Sequence, residues 1–244
     1  SGVGTLLKQA GAEAINGWAV FEDAKTCVVE QEDGEKIRIK AENVVLATGS
    51  VEVELPFLPF GEKVIGSTQA LELDDLPEKL VVVGAGYIGL ELGIAFAKMG
   101  SKVSFVEALD RILPLYDKEI TRPITMWLKK HKVAVNLSCK ARGMSEKDGL
   151  AVLEYEDAKG ELQTIEADKI LVAVGRRACL EGWGLENMGL DLVDGRFIKV
   201  DNQCRTGMRN VWAIGDVVGE PLLAHKATAQ GELVAELIAG KKRV

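Results

Sequence analysis

Leu80-Val81-Val82-Val83-Gly84-Ala85-Gly86-Tyr87-Ile88-Gly89 decides how the rest of the chain is read. An apolar run of strand length runs into a Gly-x-Gly-x-x-Gly pattern that opens a helix-like stretch, the context in which those glycines signify a phosphate-binding turn. Gly84 suits the tight turn, Gly86 the close approach of backbone to a diphosphate, and Gly89 the packing of helix on strand. Tyr87 and Ile88 open the helix, whose free N–H groups and dipole favour an anion. Ile88, Leu92, Ala95, Phe96 and Met99 fall at helical spacing and are expected to form its core-facing stripe, and Gly100 to close it. A second apolar run, Val103 to Val106, then ends at Glu107. An acidic residue there can accept hydrogen bonds from an adenosine ribose.

Strand, glycines, helix, strand and acid together predict a Rossmann-like α/β unit that binds a dinucleotide. Because a carboxylate accepts ribose hydroxyls and repels a 2′-phosphate, Glu107 favours NAD over NADP. Asp117 is expected to cap a further helix carrying Ile120, Ile124, Trp127 and Leu128, with Pro123 forcing a later start or a kink. Val133–Leu137, Ala151–Tyr155, Leu162–Ile165 and Lys169–Val174 read as strands. The order predicts a βαβαβ core with an antiparallel meander inserted before its last strand.

Upstream, Gly17–Phe21, Thr26–Val29 and Lys36–Ile39 read as short strands, the last two joined at the hairpin signal Asp33-Gly34. Asn43–Ala47 is apolar on both faces, as a strand covered by helices would be, and ends at Thr48-Gly49-Ser50. The acidic stretch Glu72–Pro77 is the candidate boundary. Downstream, Arg196–Val200 and Val211–Ile214 read as strands, the latter ending at Gly215-Asp216, and a last helix is expected from about His225 to Ala239. Asp216 follows a strand end, where a carboxylate can reach a ligand or merely cap a turn.

Composition narrows the classes. The chain has 244 residues, 47% hydrophobic, with a net charge of −7. That charge gives nucleic acid or anionic lipid no electrostatic reason to bind. Apolar runs fall far short of the ~20 residues needed to span a bilayer, and the N-terminus carries no signal pattern, so a cytoplasmic protein is expected. The four cysteines, Cys27, Cys139, Cys179 and Cys204, are scattered and read as ordinary thiols. With only His131 and His225, a multi-histidine metal site cannot be built and a hydrolytic triad is disfavoured. Ser1 in place of an initiator Met suggests an excised or processed piece.

Ala47–Ser50, Gly84–Gly93, Ala173-Val174-Gly175-Arg176-Arg177, Ala213–Asp216 and Leu223-Ala224-His225-Lys226-Ala227 together resemble the pyridine nucleotide–disulfide oxidoreductases, in order and spacing most similar to their dihydrolipoyl dehydrogenase branch. The resemblance implies a flavoprotein with an NAD domain inserted into an FAD domain: 1–76 as part of the split FAD-binding domain, 77–190 as the NAD-binding domain, and 191–244 as the segment returning to the flavin. It implies FAD contacts at Thr48, Gly49, Ser50, Asp216, Leu223, Ala224 and His225, and NAD contacts at Gly84, Gly86, Tyr87, Ile88, Gly89, Glu91, Glu107 and Gly175. Glu91 would stand near nicotinamide and flavin.

The family's first FAD-phosphate glycine motif, its Cys-x4-Cys pair and its dimerisation domain find no match here, so the chain resembles the middle of such an enzyme and is expected to be inactive alone. As partners the resemblance implies a lipoyl domain of a 2-oxo-acid dehydrogenase complex and a second copy in a homodimer. Two alternatives stand beside it: an NAD-binding module without redox chemistry, and a flavin-dependent NADH oxidase or reductase of the same superfamily.

Overall fold

A computed structural model describes residues 2–241. The chain forms two units: Glu52–Arg176 is continuous, and it interrupts a second unit made of residues 1–51 and 177–244. This is the α/β domain-within-a-domain arrangement expected from the sequence.

The first unit opens with helix α1 (Gly2–Gln9) and an antiparallel meander of β1 (Trp18–Asp23), β2 (Thr26–Glu30) and β3 (Lys36–Lys40). Gly34, at φ 84°, supplies the turn between β2 and β3. Strand β4 (Val44–Leu46) leads to β5 (Ser50–Glu52), where the chain leaves for the inserted unit.

The inserted unit contains β6 (Val64–Ile65), α2 (Ser67–Leu71), β7 (Lys79–Val83), α3 (Tyr87–Met99), β8 (Lys102–Val106), α4 (Lys118–Lys130) and β9 (Ala134–Asn136). A meander of β10 (Lys140–Lys147), β11 (Leu150–Glu156) and β12 (Leu162–Ala167) follows, then β13 (Lys169–Val172). Five strands form one parallel sheet in the order β6-β13-β7-β8-β9. Its central strand shows why Leu80–Val83 lacks alternation. Leu80 and Val82 pack with Leu90, Phe96 and Phe105 on one face, whereas Val81 and Val83 pack with Leu153, Tyr155 and Val172 on the other. A strand buried on both faces needs apolar side chains at every position.

The chain returns through β14 (Arg176–Ala178), β15 (Leu192–Val193), β16 (Phe197–Ile198) and β17 (Val211–Ala213) to the final helix α5 (Ala224–Ile238). β17 runs parallel to β4, with Trp212 opposite Val45. Val44, Leu46, Trp183, Met188, Ile198 and Val211 form the core of this unit. The Lys25 ammonium donates to the carbonyls of Glu42 at 2.6 Å and Asn210 at 2.8 Å, tying the meander to the start of the β4–β17 pair, and burial lowers its pKa.

Several details depart from the sequence expectations. The units meet at 51/52 and 176/177 rather than at 76/77 and 190/191. Two contacts explain the difference: β6 pairs with β13 and draws the segment before Glu72 into the inserted sheet, while Trp183 and Met188 are buried in the other unit's core. Strand β10 escapes a hydrophobicity scan because, in Lys140–Lys147, only Ala141 and Met144 pack against the core. The outer face of β4 is open, with Val45 40% exposed. Pro123 neither delays nor ends α4, which starts at Lys118 beneath Asp117, whose carboxylate accepts the Glu119 N–H at 2.8 Å; Ile120 points outward and Thr121 is buried instead.

The face of α3 was also misplaced by apolar periodicity. Met99 is 60% exposed, and the helix buries Gly89, Leu90, Gly93 and Phe96. A Cβ on Gly89 would overlap the Gly84 carbonyl oxygen, and one on Gly93 would overlap the Phe105 ring. The buried stripe is therefore partly glycine, which an apolar count does not register. Gly100, at φ 118°, ends the helix as expected.

Gly93→Ala should lower the unfolding free energy by about 1–3 kcal/mol, the range for overpacking a filled core, in chemical denaturation. Adding Phe105→Leu should recover part of that loss by opening room for the methyl. If the pair is simply additive, the Gly93–Phe105 contact is not what limits the approach of α3.

Candidate functional site

At the carboxyl ends of β7, β8 and β13, the ladder brings three chain exits side by side: Val83 pairs with Val106 on one side and Val172 on the other. Gly84 follows Val83, Glu107 follows Val106, and Gly175 lies three residues past Val172. Such a cluster of strand ends is where open α/β sheets receive ligands.

The fingerprint glycines differ in what holds them. Gly84 has φ 102°, and a Cβ there would lie 2.6 Å from the Ala173 carbonyl oxygen, so both backbone angle and neighbour demand glycine. Gly89 is demanded by the helix–strand contact described above. Gly86 is different: its φ of −74° suits any residue, and an added Cβ would meet nothing within 4 Å. It is the N-cap of α3 and has no side chain with which to cap that end. The protein leaves open a concave patch of backbone at a helix N-terminus, a cradle that a side chain would fill and that fits a diphosphate.

Glu107 is only 8% exposed. One carboxylate oxygen accepts the Ala85 N–H at 2.6 Å and the other the Leu109 N–H at 2.8 Å. The loop after β8 returns to the fingerprint, where the Leu113 N–H donates to the Ala85 carbonyl at 3.0 Å. Leu113 itself is buried and adopts φ 47°, an uncommon angle for a branched side chain. Sequence reasoning missed Ala85 and Leu113, because a main-chain bond leaves no mark on residue type. Tyr87, Leu90, Glu91, Ile94, Leu113 and Ile124 line a mostly apolar hollow beside the first turns of α3, with Glu91 exposed at its rim. Ile88 is half-buried on the same turn, and Gly175, exposed at φ 145°, accepts the Val53 N–H.

In the other unit, β4 and β17 end together, and the Ile214 N–H donates to the Leu46 carbonyl at 2.9 Å. This places Thr48-Gly49-Ser50 beside Gly215-Asp216. The Ser50 hydroxyl donates to the Asp216 carboxylate at 2.6 Å, joining two of the expected residues directly. Thr48 instead spends its hydroxyl on the Cys179 carbonyl at 3.0 Å, a bond within the fold. Gly49 and Gly215 both have positive φ, 72° and 77°. Helix α5 backs this corner: the Gln230 side-chain oxygen accepts the Gly215 N–H at 2.8 Å. Leu223 is the N-cap of α5 and has no side-chain capping bond; Ala224 and His225 are exposed on its first turn.

Elsewhere, all four cysteines are free thiols. Burial pushes those of Cys27, Cys139 and Cys204 up, away from the reactive thiolate. His131 caps the end of α4 and stacks on Trp127 with ring centroids 4.1 Å apart. No described helix is long and apolar enough to cross a membrane.

Comparison with known proteins identifies the family and the fold. The chain is 55% identical over 243 residues to dihydrolipoyl dehydrogenase of Pseudomonas aeruginosa, covering 100% of this chain and 51% of that protein. It is 40% identical to dihydrolipoyl dehydrogenase of Bacillus subtilis, covering 98% and 51%. The chain thus spans about half the length of the curated relatives it matches. Among solved structures, LpdA of Mycobacterium tuberculosis superposes with a TM-score of 0.88 at 25% identity, covering 100% of this chain and 54% of that one. The HOCl-induced flavoprotein disulfide reductase RclA of Escherichia coli superposes with a TM-score of 0.87 at 26% identity, covering 99% and 55%. The profile of the pyridine nucleotide-disulphide oxidoreductases, whose members use FAD and NAD, matches residues 5–231, and the chain belongs to that family.

Proposed function

We propose that the inserted unit binds NAD and the interrupted unit contributes to an FAD site, within a full-length protein that is a dihydrolipoyl dehydrogenase reoxidising dihydrolipoamide. When bound, the two cofactors supply the hydride chemistry; the described residues hold and orient them. The observation that supports the NAD assignment is Gly86, a glycine that neither backbone angle nor neighbouring atoms require, at the N-cap of α3. A close-lying ligand backbone gives that glycine its reason. Gly84 and Gly89 shape the turn, Tyr87 and Ile88 begin the helix whose amides face the diphosphate, Glu107 accepts from the adenosine ribose, and Glu91 and Gly175 lie toward the nicotinamide. Its carboxylates, Glu107 above all, disfavour the extra phosphate of NADP.

On the flavin side, Asp216 accepts from the ribityl chain, with Ser50 fixing its rotamer and Gly49 and Thr48 shaping the crossing. Leu223, Ala224 and His225 present the uncapped start of α5 to the flavin ring. The partners that go with this reading are a lipoyl domain of a 2-oxo-acid dehydrogenase complex and a second copy in a homodimer, in the cytoplasm.

Calorimetric titration of the 244-residue chain should give tighter binding of NADH than of NADPH; equal affinities would remove Glu107 from its role in discrimination. Gly86→Val should cost about 1 kcal/mol of stability at most, the penalty of a poorer N-cap, yet weaken NADH binding tenfold or more. Unchanged affinity in that variant would place the diphosphate elsewhere.

In the full-length protein, Asp216→Ala should weaken flavin retention by ~1–3 kcal/mol, the cost of a lost hydrogen bond to a charged group. The ratio of flavin to protein absorbance after dialysis reads this directly, and Ser50→Ala should shift it less. A flavin content indifferent to Asp216→Ala would return that residue to capping the turn.

A further inference from the structure

We infer that Glu107 is a positioning residue for the glycine loop: it holds the loop in the shape that receives a diphosphate, separately from any contact its carboxylate makes with a ribose. The inference rests on the NAD assignment of the inserted unit.

The loop between β7 and α3 has one residue, Ala85, between its first two glycines, and both of its main-chain polar groups are held by the chain that follows β8. Its N–H donates to one oxygen of Glu107 at 2.6 Å, and its carbonyl accepts the Leu113 N–H at 3.0 Å. Those two groups belong to successive peptide planes, the second of which leads into Gly86. Fixing both planes fixes the direction in which the open backbone of Gly86 faces.

Glu107 is itself firmly placed. Its N–H donates to the Asn136 carbonyl and its carbonyl accepts the Cys139 N–H, both at 2.8 Å, and its second carboxylate oxygen accepts the Leu109 N–H. The result is a clamp running from the exit of β9, through one buried carboxylate, to the middle of the glycine loop. A carboxylate has about four acceptor positions, and two backbone N–H groups occupy two of them, so a ribose hydroxyl adds to the clamp and need not break it.

The side chain's chemistry makes the claim testable. A glutamine has the same length but only one accepting oxygen. In Glu107→Gln, either Ala85 or Leu109 keeps its acceptor, and the other N–H faces an NH2 group. The loop is then loosened even toward a ligand with no ribose hydroxyls to read.

The experiment compares NADH with its analogue carrying a 2′,3′-dideoxyribose on the adenosine side, by calorimetry on the 244-residue chain and on Glu107→Gln. We expect the substitution to weaken both ligands, the dideoxy analogue fivefold or more. Amide exchange without ligand serves as the second measurement: the Ala85 and Leu109 amides should exchange at least tenfold faster in Glu107→Gln, while those of Val81 and Val82 in β7 keep their wild-type rates. Uniform acceleration across β7 would mean a general loss of stability and would overturn the local clamp. If Glu107→Gln weakens NADH but leaves the dideoxy analogue at its wild-type affinity, Glu107 acts through the ribose alone and the positioning role is lost while the NAD site stands. If the unsubstituted chain binds neither ligand, it is the NAD assignment that fails.

Discussion

The closeness of α3 to the parallel sheet is the constraint from which the rest of the inserted unit follows. Ordinary side chains hold a helix off the surface it packs on; α3 replaces two of the contact positions with Gly89 and Gly93, and the Gly84 carbonyl and the Phe105 ring fill the space that Cβ atoms would take. The helix N-terminus is thereby drawn down to the level of the strand ends. Without that approach, the first turn of α3 would be held off the Gly84 turn by the added Cβ atoms.

The same closeness explains why β7 is apolar at every position. With α3 on one face and the β10–β12 meander on the other, Leu80, Val81, Val82 and Val83 are all between 0% and 5% exposed. Burial of four branched side chains, each contributing about 1.5–3 kcal/mol relative to exposure, anchors the strand that ends in the loop. A loop that holds its amides in fixed directions gains from being tethered to a strand buried on both faces. The cross-link from Glu107 and Leu113 to Ala85 then removes freedom that the strand anchor alone would leave.

How much of this was legible in the sequence depends on whether the cause lies in residue type. Positions where one residue type has a single local job were readable: Gly100 and Gly34 at positive φ, Asp117 at a helix start, Gly84 at the turn. Fold class followed from the same signals. The buried face of α3 was not readable, because the groups that face the sheet include glycines that score as nothing. Strand β10 was hidden by lysines and glutamate on its solvent side, and the unit boundary by β6, whose two residues gain their strand character only from pairing with β13. In the candidate site, Glu107 was found from its place after the second strand, but its hydrogen bonds to Ala85 and Leu109 involve main-chain groups that every residue carries.

Electrostatics would let the proposed site discriminate between the two nicotinamide dinucleotides. The chain carries a net charge of −7, and residues 84–91 contain one charge, that of Glu91. A dinucleotide with two phosphates would therefore approach an acidic protein and meet no lysine or arginine within the fingerprint. At physiological salt the long-range repulsion is screened beyond about 8 Å, so attraction would come from contacts shorter than that: the backbone amides around the α3 N-terminus and the roughly half charge of its dipole. Short-range dipoles would balance the diphosphate they touch and have nothing left for a third phosphate some ångströms away, where the proposal puts Glu107. Selection for the unphosphorylated ribose then needs no steric block. It would follow from holding the diphosphate with neutral backbone rather than cationic side chains and placing a buried carboxylate next to the ribose.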